Sequence, residues 1–310
     1  MNDLNPTFMQ GIIPIAVMPF TKEGVVDQEE LSREINFLVE IGIEWVGFGF
    51  GSEVHTLSET ELVSTLTHAV KVGNNKINVI GNVEMNSTLG AISRIKLIKE
   101  TGCAMAMVRP APSLASAPEK ELIAAFTLLA EKGNLPIVIQ DAPGNSGVNL
   151  SAAMLVHLLE NVKNIESLKI EPLAPAIKIG EIIRLSNGKR CSVIGGSGGI
   201  DFIHELKRGA VGTMPGPAFP EIFREIQHRM ESGDEKYART LFAKVLPLIV
   251  LSGRDMSTFL FAQKYILQKR GVLKETYLRA PHGVIDPVLP NELDEMLNAI
   301  NFDSILKECS

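Results

Sequence analysis

Short apolar runs alternate with helix-patterned segments along the first two thirds of the chain. Because the runs are apolar almost throughout, instead of alternating with polar residues, they predict strands buried on both faces, as in a parallel sheet. Eight strand–helix units within about 220 residues predict an α/β fold of the (β/α)8 TIM barrel type, with a doubly wound open sheet as the alternative. The predicted strands cover residues 11–18, 44–50, 77–83, 104–108, 136–140, 165–170, 191–194 and 210–214.

The pattern changes to helices alone near residue 219. We expect residues 1–225 to form the catalytic barrel and residues 226–310 to form a C-terminal helical region packed on it. The predicted helices of this region cover residues 218–231, 234–250, 253–270 and 290–306.

Composition narrows the class of protein. The net charge of -6 argues against a nucleic-acid partner, which requires a basic surface. No apolar run is long enough to span a membrane, and the N-terminal residues lack the pattern of a signal peptide. Cys103, Cys191 and Cys309 match no disulfide or metal-ligand spacing. We therefore expect a cytoplasmic protein with reduced thiols, no membrane partner and no metal.

Lys169 is the strongest candidate for chemistry. It lies at the end of the predicted strand 165–170, and Pro172 turns the chain directly afterwards. Burial disfavours the ammonium form of a lysine, and the resulting amine can attack a ketone to form a Schiff base. The alternative is a lysine that extends from the strand end to solvent. The active site of a TIM barrel lies at the C-terminal ends of the strands, and no other predicted strand ends in lysine, which favours a catalytic amine.

Other polar residues follow predicted strands at the same face of the barrel. Glu171 could move protons or simply cap the following turn. The glycine-rich stretch Gly195-Gly196-Ser197 lacks the lysine of a phosphate-binding loop and better suits close approach of a substrate carboxylate. A lone His55 is expected to be structural. The remaining candidates by position are Ser52, Glu53, Arg109, Gln140, Asp141, Asn145 and Thr213.

The turn Gly49-Phe50-Gly51-Ser52-Glu53, together with Pro143 and Lys169, resembles the dihydrodipicolinate synthase/N-acetylneuraminate lyase family. The resemblance covers the whole chain. It implies a TIM barrel lyase in which Lys169 forms an imine with a small 2-oxo acid. It also implies no cofactor beyond that imine and a homo-oligomer, either a dimer or a tetramer.

The chain departs from the family at several positions. Gln140 stands where the family carries a tyrosine that relays protons, and Asn145 stands at the position of a substrate-binding arginine. Phe50 and Gly51 replace a pair of threonines. The three tyrosines of the chain all follow residue 236, in the helical region. Dihydrodipicolinate synthase activity itself is therefore not expected.

One branch of the family, typified by L-2-keto-3-deoxyarabonate dehydratase, resembles the chain better. The shared segments are Gln140 to Pro143, Lys169 to Glu171 and the pair Ser52-Glu53. This resemblance implies dehydration of a 2-keto-3-deoxy sugar acid through an imine on Lys169. A pyruvate-dependent aldolase, a condensing enzyme of the synthase type and a non-catalytic relative that binds an oxo acid remain alternatives.

Without a barrel tyrosine, a carboxylate has to carry the proton. We expect Glu171 to do so, with Glu53 as the second candidate, and such a group works best with a pKa closer to the working pH than that of a free carboxylate. The residues expected to contact the substrate are Gly51, Ser52, Gln140, Asn145, Gly195, Gly196 and Ser197.

Overall fold

In the described part of the chain, eight parallel strands form the centre of the protein. The computed structural model describes residues 8–187 and 191–309. Strands β2 to β7 form one sheet in sequence order, and β1 pairs with β8. The strands are β1 (Gly11–Ile12), β2 (Trp45–Gly47), β3 (Asn78–Met85), β4 (Met105–Pro110), β5 (Ile137–Asp141), β6 (Ile165–Ile170), β7 (Ser192–Ile194) and β8 (Gly212–Thr213).

Two bridges between these sheets close the ring. Ile15 pairs with Gly47 of β2, and Gly195 pairs with Thr213 of β8. The backbone N–H of Ala16 donates to the carbonyl of Gly47 over 2.9 Å, and that of Gly195 donates to the carbonyl of Gly212 over 3.0 Å. The prediction of a closed (β/α)8 barrel is confirmed, and the open sheet is excluded.

The first and last strands are much shorter than predicted. The expected strands 11–18 and 210–214 contain only two regular strand residues each. Pro14 has no N–H to donate and contributes only its carbonyl, which accepts from the N–H of Gly47 over 2.9 Å. By contrast, β6 has the bounds that its apolar pattern predicted.

Helices cover the outside of the barrel. Asp27 caps the first helix by accepting from two backbone N–H groups, and Ser58 forms a reciprocal capping box with Glu61 at the second. The helices are α1 (Gln28–Glu40), α2 (Glu59–Gly73), α3 (Thr88–Glu100), α4 (Glu119–Gly133), α5 (Pro143–Ser146), α6 (Ala152–Asn161), α7 (Pro175–Leu185) and α8 (Phe202–Leu206).

The buried apolar residues form two clusters. The smaller cluster fills the barrel interior and includes Ile13, Trp45, Met105, Met107 and Ile194. The larger cluster lies between the strands and the helices and continues into the C-terminal region. The barrel centre is therefore packed, which leaves its open end as the place for a site.

Five helices follow the barrel, namely α9 (Pro220–Glu231), α10 (Glu235–Ser252), α11 (Met256–Lys269), α12 (Leu289–Ala299) and α13 (Phe302–Glu308). The helix expected over residues 290–306 is in fact two, because Asn301 adopts a left-handed conformation with φ of 54° and breaks the hydrogen-bond ladder. The boundary expected between residues 225 and 226 falls inside α9. None of the helices in the described part of the chain is long and apolar enough to cross a membrane.

Candidate active site

A cavity of about 860 Å³ opens at the C-terminal ends of the strands. Lys169 is almost completely buried at its inner end, with 5% of its surface exposed. Barrel loops supply one part of the wall, and α10 and α11 supply the other. The polar groups that line the cavity include Gln140, Asn145, Glu171, Ser197, Asp201, Asp255 and Gln263.

Lys169, Glu171 and Gln140 form one connected group. Nζ of Lys169 lies 3.2 Å from Oε1 of Glu171. The side-chain amide of Gln140 donates to Oε2 of Glu171 over 2.7 Å, and the backbone N–H of Ser197 donates to Oε1 over 2.8 Å. Both carboxylate oxygens are thus held, and the carboxylate is fixed beside the amine.

Strand register brings the members of this group together. Gln140 of β5 is the direct neighbour of Lys169 of β6. Side chains of paired residues in a parallel sheet point to the same face, so both project into the barrel. Asp141, one residue further on, points to the opposite face, where its Oδ2 lies 2.6 Å from Nζ of Lys178.

The Glu171 carboxyl is more acidic than a free one. Burial raises its pKa, but the charge of Lys169 and the hydrogen bonds from Gln140 and Ser197 lower the pKa by more, and the net shift is downward. The expectation of a pKa closer to the working pH is therefore wrong for Glu171. The sequence alone does not show how many donors surround this carboxylate.

Gly196 allows Glu171 to occupy its position. A Cβ atom on Gly196 would lie 2.2 Å from Oε1 of Glu171, and one on Gly195 would lie 1.8 Å from Oε2 of Glu205. Neither glycine lines the cavity, so the expectation that they contact a substrate does not fit the structure. Their lack of side chains accommodates two carboxyl groups of the protein itself.

Glu53 is not brought to Lys169. Its Oε2 lies 2.7 Å from Nζ of Lys264, and its Oε1 accepts the backbone N–H of Arg279 over 3.1 Å. Nζ of Lys264 also donates to the carbonyl of Tyr277 over 2.7 Å. Glu53 is buried and lies outside the cavity lining, so the structure contradicts its expected role in proton transfer. Its carboxylate instead ties the turn after β2 to the C-terminal region.

The remaining predicted contacts divide into two groups. Gly51, Asn145 and Ser197 line the cavity, as a substrate-contacting role requires. Ser52 does not: its hydroxyl is buried and accepts the backbone N–H of Gly49 over 3.1 Å. Ser52 therefore shapes the turn, and the expectation that it contacts the substrate does not fit the structure.

Comparison with known proteins identifies the family. The sequence profile of the Dihydrodipicolinate synthetase family matches residues 8–300, which is nearly the whole chain. The chain belongs to the dihydrodipicolinate synthetase family. It is therefore a lyase, and the family supports the Schiff-base type of chemistry.

Relatives in this family carry different activities. The chain is 27% identical over 290 residues to an L-2-keto-3-deoxyarabonate dehydratase of Azospirillum brasilense, covering 92% of each protein. It is 29% identical over 243 residues to a 4-hydroxy-tetrahydrodipicolinate synthase of Methanococcus aeolicus, covering 78% of this chain and 82% of the synthase. A crystal structure of dihydrodipicolinate synthase from Rhodopseudomonas palustris superposes with a TM-score of 0.86 at 26% identity, covering 94% of this chain and 97% of that one.

Arg109 and His55 lie at a second cleft, of about 550 Å³, beside the cavity of this family member. The guanidinium of Arg109 lies 2.8 Å from Oε1 of Glu84 and covers the ring of Phe50, against which His55 stacks. Burial lowers the pKa of His55. His55 contacts the ring of Phe50, and its structural role stays a prediction. Among the described residues, no three His, Cys, Asp or Glu side chains are grouped as metal ligands would be.

The contribution of α10 and α11 to the cavity was not expected. Phe259 approaches the turn after β2 closely, since a Cβ on Gly51 would lie 3.3 Å from its ring. Gln263 accepts the backbone N–H of Ala218 over 3.1 Å and also lines the cavity. A polar Gln263 between Ala262 and Lys264 could indicate a residue of the site. The same sequence pattern is equally typical of a helix packed on the barrel.

Proposed function

We propose that this protein dehydrates a 2-keto-3-deoxy sugar acid through an imine on Lys169, with Glu171 as the proton carrier. The observation that carries the proposal is the Lys169–Glu171–Gln140 group at the buried end of the cavity. Among the described residues that line the cavity there is no tyrosine, so a carboxylate is the available proton carrier beside the amine. The similarity to a keto-deoxy acid dehydratase supports the same substrate class.

Imine formation comes first. The neutral amine of Lys169 attacks the C2 ketone to give a carbinolamine. Its hydroxyl takes a proton from solvent and leaves as water, which gives a protonated imine. That imine withdraws electrons from C3, so a C3 proton becomes removable. The buried position of Lys169 excludes competing water during this step.

Glu171 then moves one proton. Its lowered pKa keeps it in the carboxylate form at neutral pH, which is the form that accepts the C3 proton. The resulting enamine expels the C4 hydroxyl, and the proton held by Glu171 leaves with it as water. Since the carboxyl receives its proton from the substrate, it needs no raised pKa in the resting enzyme. Water hydrolyses the unsaturated imine and frees Lys169, and a hydroxyl on C5 allows the product to tautomerise to an oxo-acid semialdehyde.

The cavity favours a substrate with one carboxylate. Lys169 is the single lysine or arginine among the described residues that line it. Asn145 lines the cavity with a neutral amide, at the position where the resemblance implies an arginine. Gln140, Asn145 and Gln263 are instead suited to hydroxyl groups along a sugar-acid chain.

Two measurements test the proposal. Borohydride reduction in the presence of pyruvate or a keto-deoxy acid, followed by peptide mass analysis, should add the mass of the reduced adduct to Lys169, and Lys169→Ala should remain unmodified. A panel of keto-deoxy acids should then yield an oxo-acid semialdehyde. Release of pyruvate would identify an aldolase instead, and an active enzyme with unmodified Lys169 would contradict the imine. A folded protein that forms no imine with any oxo acid would support a binding-only role.

We also propose that the chain assembles into a homodimer or homotetramer. Leu173 and Ile177, between β6 and the middle of α7, are exposed to solvent. The side chain of Leu173 is fully exposed, with a relative solvent-accessible area of 104%. Neighbouring exposed apolar side chains support a contact surface. Sedimentation velocity on the wild type and on a Leu173→Ser/Ile177→Ser variant tests it, and a monomeric wild type would contradict it.

A further inference from the structure

Glu205 is a buried acid without a hydrogen-bond partner in the described part of the chain. It lies on α8 with only 1% of its surface exposed. Neither of its carboxyl oxygens has a hydrogen-bond partner among the described residues. A buried carboxylate without a donor or a cation is unstable, so a neutral carboxyl is expected. Consistently, burial, together with the charges of Asp201 and Glu171, raises the pKa of Glu205 to about 8.

Glu205 and Glu171 pack against two neighbouring glycines of the same backbone segment. Its carboxyl packs on Gly195, and that of Glu171 packs on Gly196, where the respective Cβ atoms would lie 1.8 Å and 2.2 Å from the carboxylate oxygens. Successive residues of an extended chain point to opposite faces, so the two carboxyls lie on opposite sides of one short backbone segment. Glu171 faces the cavity, whereas Glu205 lies behind it.

A second buried polar group lies on the same side as Glu205. Thr213 pairs with Gly195 across the strands, so its side chain shares the face on which Glu205 packs. The Thr213 hydroxyl is buried and also has no partner among residues 8–187 and 191–309. The charges that act on Glu205 are those of Asp201 and Glu171, and both are negative.

We propose that Glu205 is a positioning residue for the active site: its carboxyl, neutral behind Gly195, keeps the charge balance of the Lys169–Glu171 pair and sets the alkaline limit of imine formation. This inference rests on the proposed function, because it concerns how readily Lys169 becomes a free amine. When Glu205 ionises, a second negative charge stands close to Glu171. That charge strengthens the ion pair that holds Lys169 beside Glu171, and attack of the amine on the ketone slows.

Comparison of Glu205→Gln with the wild type tests this role. The amide has nearly the same shape and never carries a charge. With pyruvate as the probe, trapped by borohydride at timed intervals, the two imine-formation rates should agree at about pH 6. At about pH 9 the wild type should be slower than Glu205→Gln by up to about tenfold, the effect of one pKa unit. Glu131→Gln, on the exposed surface, is the matched control and should follow the wild type throughout.

Each outcome has a separate meaning. Rates that change by the same factor at every pH, or profiles that superimpose, would overturn the role of Glu205 while leaving the proposed function intact. Failure of the wild type to form any imine would overturn the proposed function and this inference with it. If Glu205→Gln does not fold, Asp201→Asn provides a second variant. It keeps Glu205 but removes a charge that raises its pKa, so the alkaline limit should move to lower pH, and an unmoved limit would contradict the proposal.

Discussion

The side-chain amide of Gln140 donates to Oε2 of Glu171 over 2.7 Å, and this bond orients the carboxylate towards Lys169. With Oε2 held by Gln140, the other oxygen, Oε1, is left for the amine at 3.2 Å and for the N–H of Ser197. An amide cannot transfer the proton itself, since it has no titrating group near neutral pH. The arrangement therefore assigns orientation to Gln140 and proton transfer to Glu171.

Glu171→Gln should separate imine formation from turnover. The variant keeps Lys169 and can still form the imine, but it cannot accept the C3 proton, so turnover should fall by about 10²- to 10⁴-fold. Borohydride trapping of the imine and steady-state product formation measure the two steps. Glu131→Gln, an exposed glutamate, should change neither step. Equal losses of trapping and turnover would show that Glu171 serves the amine and not the substrate proton.

Gly196→Ala should displace the carboxylate of Glu171. The added methyl group would lie 2.2 Å from Oε1 of Glu171, so the carboxylate must leave its position beside Lys169. Misplacement of a catalytic group by about 1 Å can lower activity by about 10²-fold. Steady-state kinetics and a melting curve measure the effect. Gly144→Ala is the control for folding because nothing lies within 4 Å of its added Cβ. An unchanged activity in Gly196→Ala would contradict a fixed position for Glu171.

Lys169 can be found from the sequence because the argument needs only local information. A half-apolar strand of six residues, a lysine near its end and the common direction of parallel strands are enough to place that side chain at the active face. Gln140 follows from the same logic, since it ends the preceding predicted strand, residues 136–140. The closed barrel is predictable for the same reason, because repeated buried strands leave few other arrangements.

Glu53 and Glu205 show what local patterns cannot decide. Glu53 lies in the turn after β2 and Glu205 lies in α8, and neither lines the cavity. The partner of Glu53 is Lys264, which is 211 positions away along the chain, so their contact depends on how α11 packs on the turn after β2. The packing of Glu205 on Gly195 likewise depends on how α8 returns to the barrel. A pattern of apolar and polar residues does not show which of these residues come into contact in the folded chain.

Replacement of Lys264 should destabilise the join between the barrel and the C-terminal helices. Lys264→Met leaves the Glu53 carboxylate buried without its cation, which should cost about 3–5 kcal/mol of unfolding free energy. Urea denaturation measures the loss. The double variant Glu53→Gln/Lys264→Met should recover much of it, because it removes both charges. Lys207→Met, which breaks an ion pair exposed at 44% and 42%, should cost much less, because solvent screens that pair. A loss in Lys264→Met no larger than in this control would show that the buried pair contributes little.

Glu34 should make the protein less stable as the pH rises. Burial raises the pKa of Glu34 to about 8, against 4.5 in the unfolded chain, although the N–H of Val17 and the charge of Lys264 oppose the shift. Between these two values the folded protein holds a proton that the unfolded chain releases, so rising pH favours unfolding. The full effect corresponds to at most about 5 kcal/mol. It should be absent below about pH 4.5 and complete above about pH 8.

Glu34→Gln has no carboxyl group that can gain or lose a proton. Its side-chain oxygen can still accept the N–H of Val17, which lies 2.9 Å from Oε1 in the wild type. Urea denaturation at about pH 5 and about pH 8 should show a smaller drop in unfolding free energy for the variant than for the wild type. Glu131→Gln, on the exposed surface, should retain the wild-type drop. Parallel pH curves for Glu34→Gln and the wild type would mean that Glu34 is ionised in the folded protein. The buried cluster of Glu34, Lys264 and Glu53 would then carry the same charge at both pH values, and Lys264→Met should cost the same stability at each.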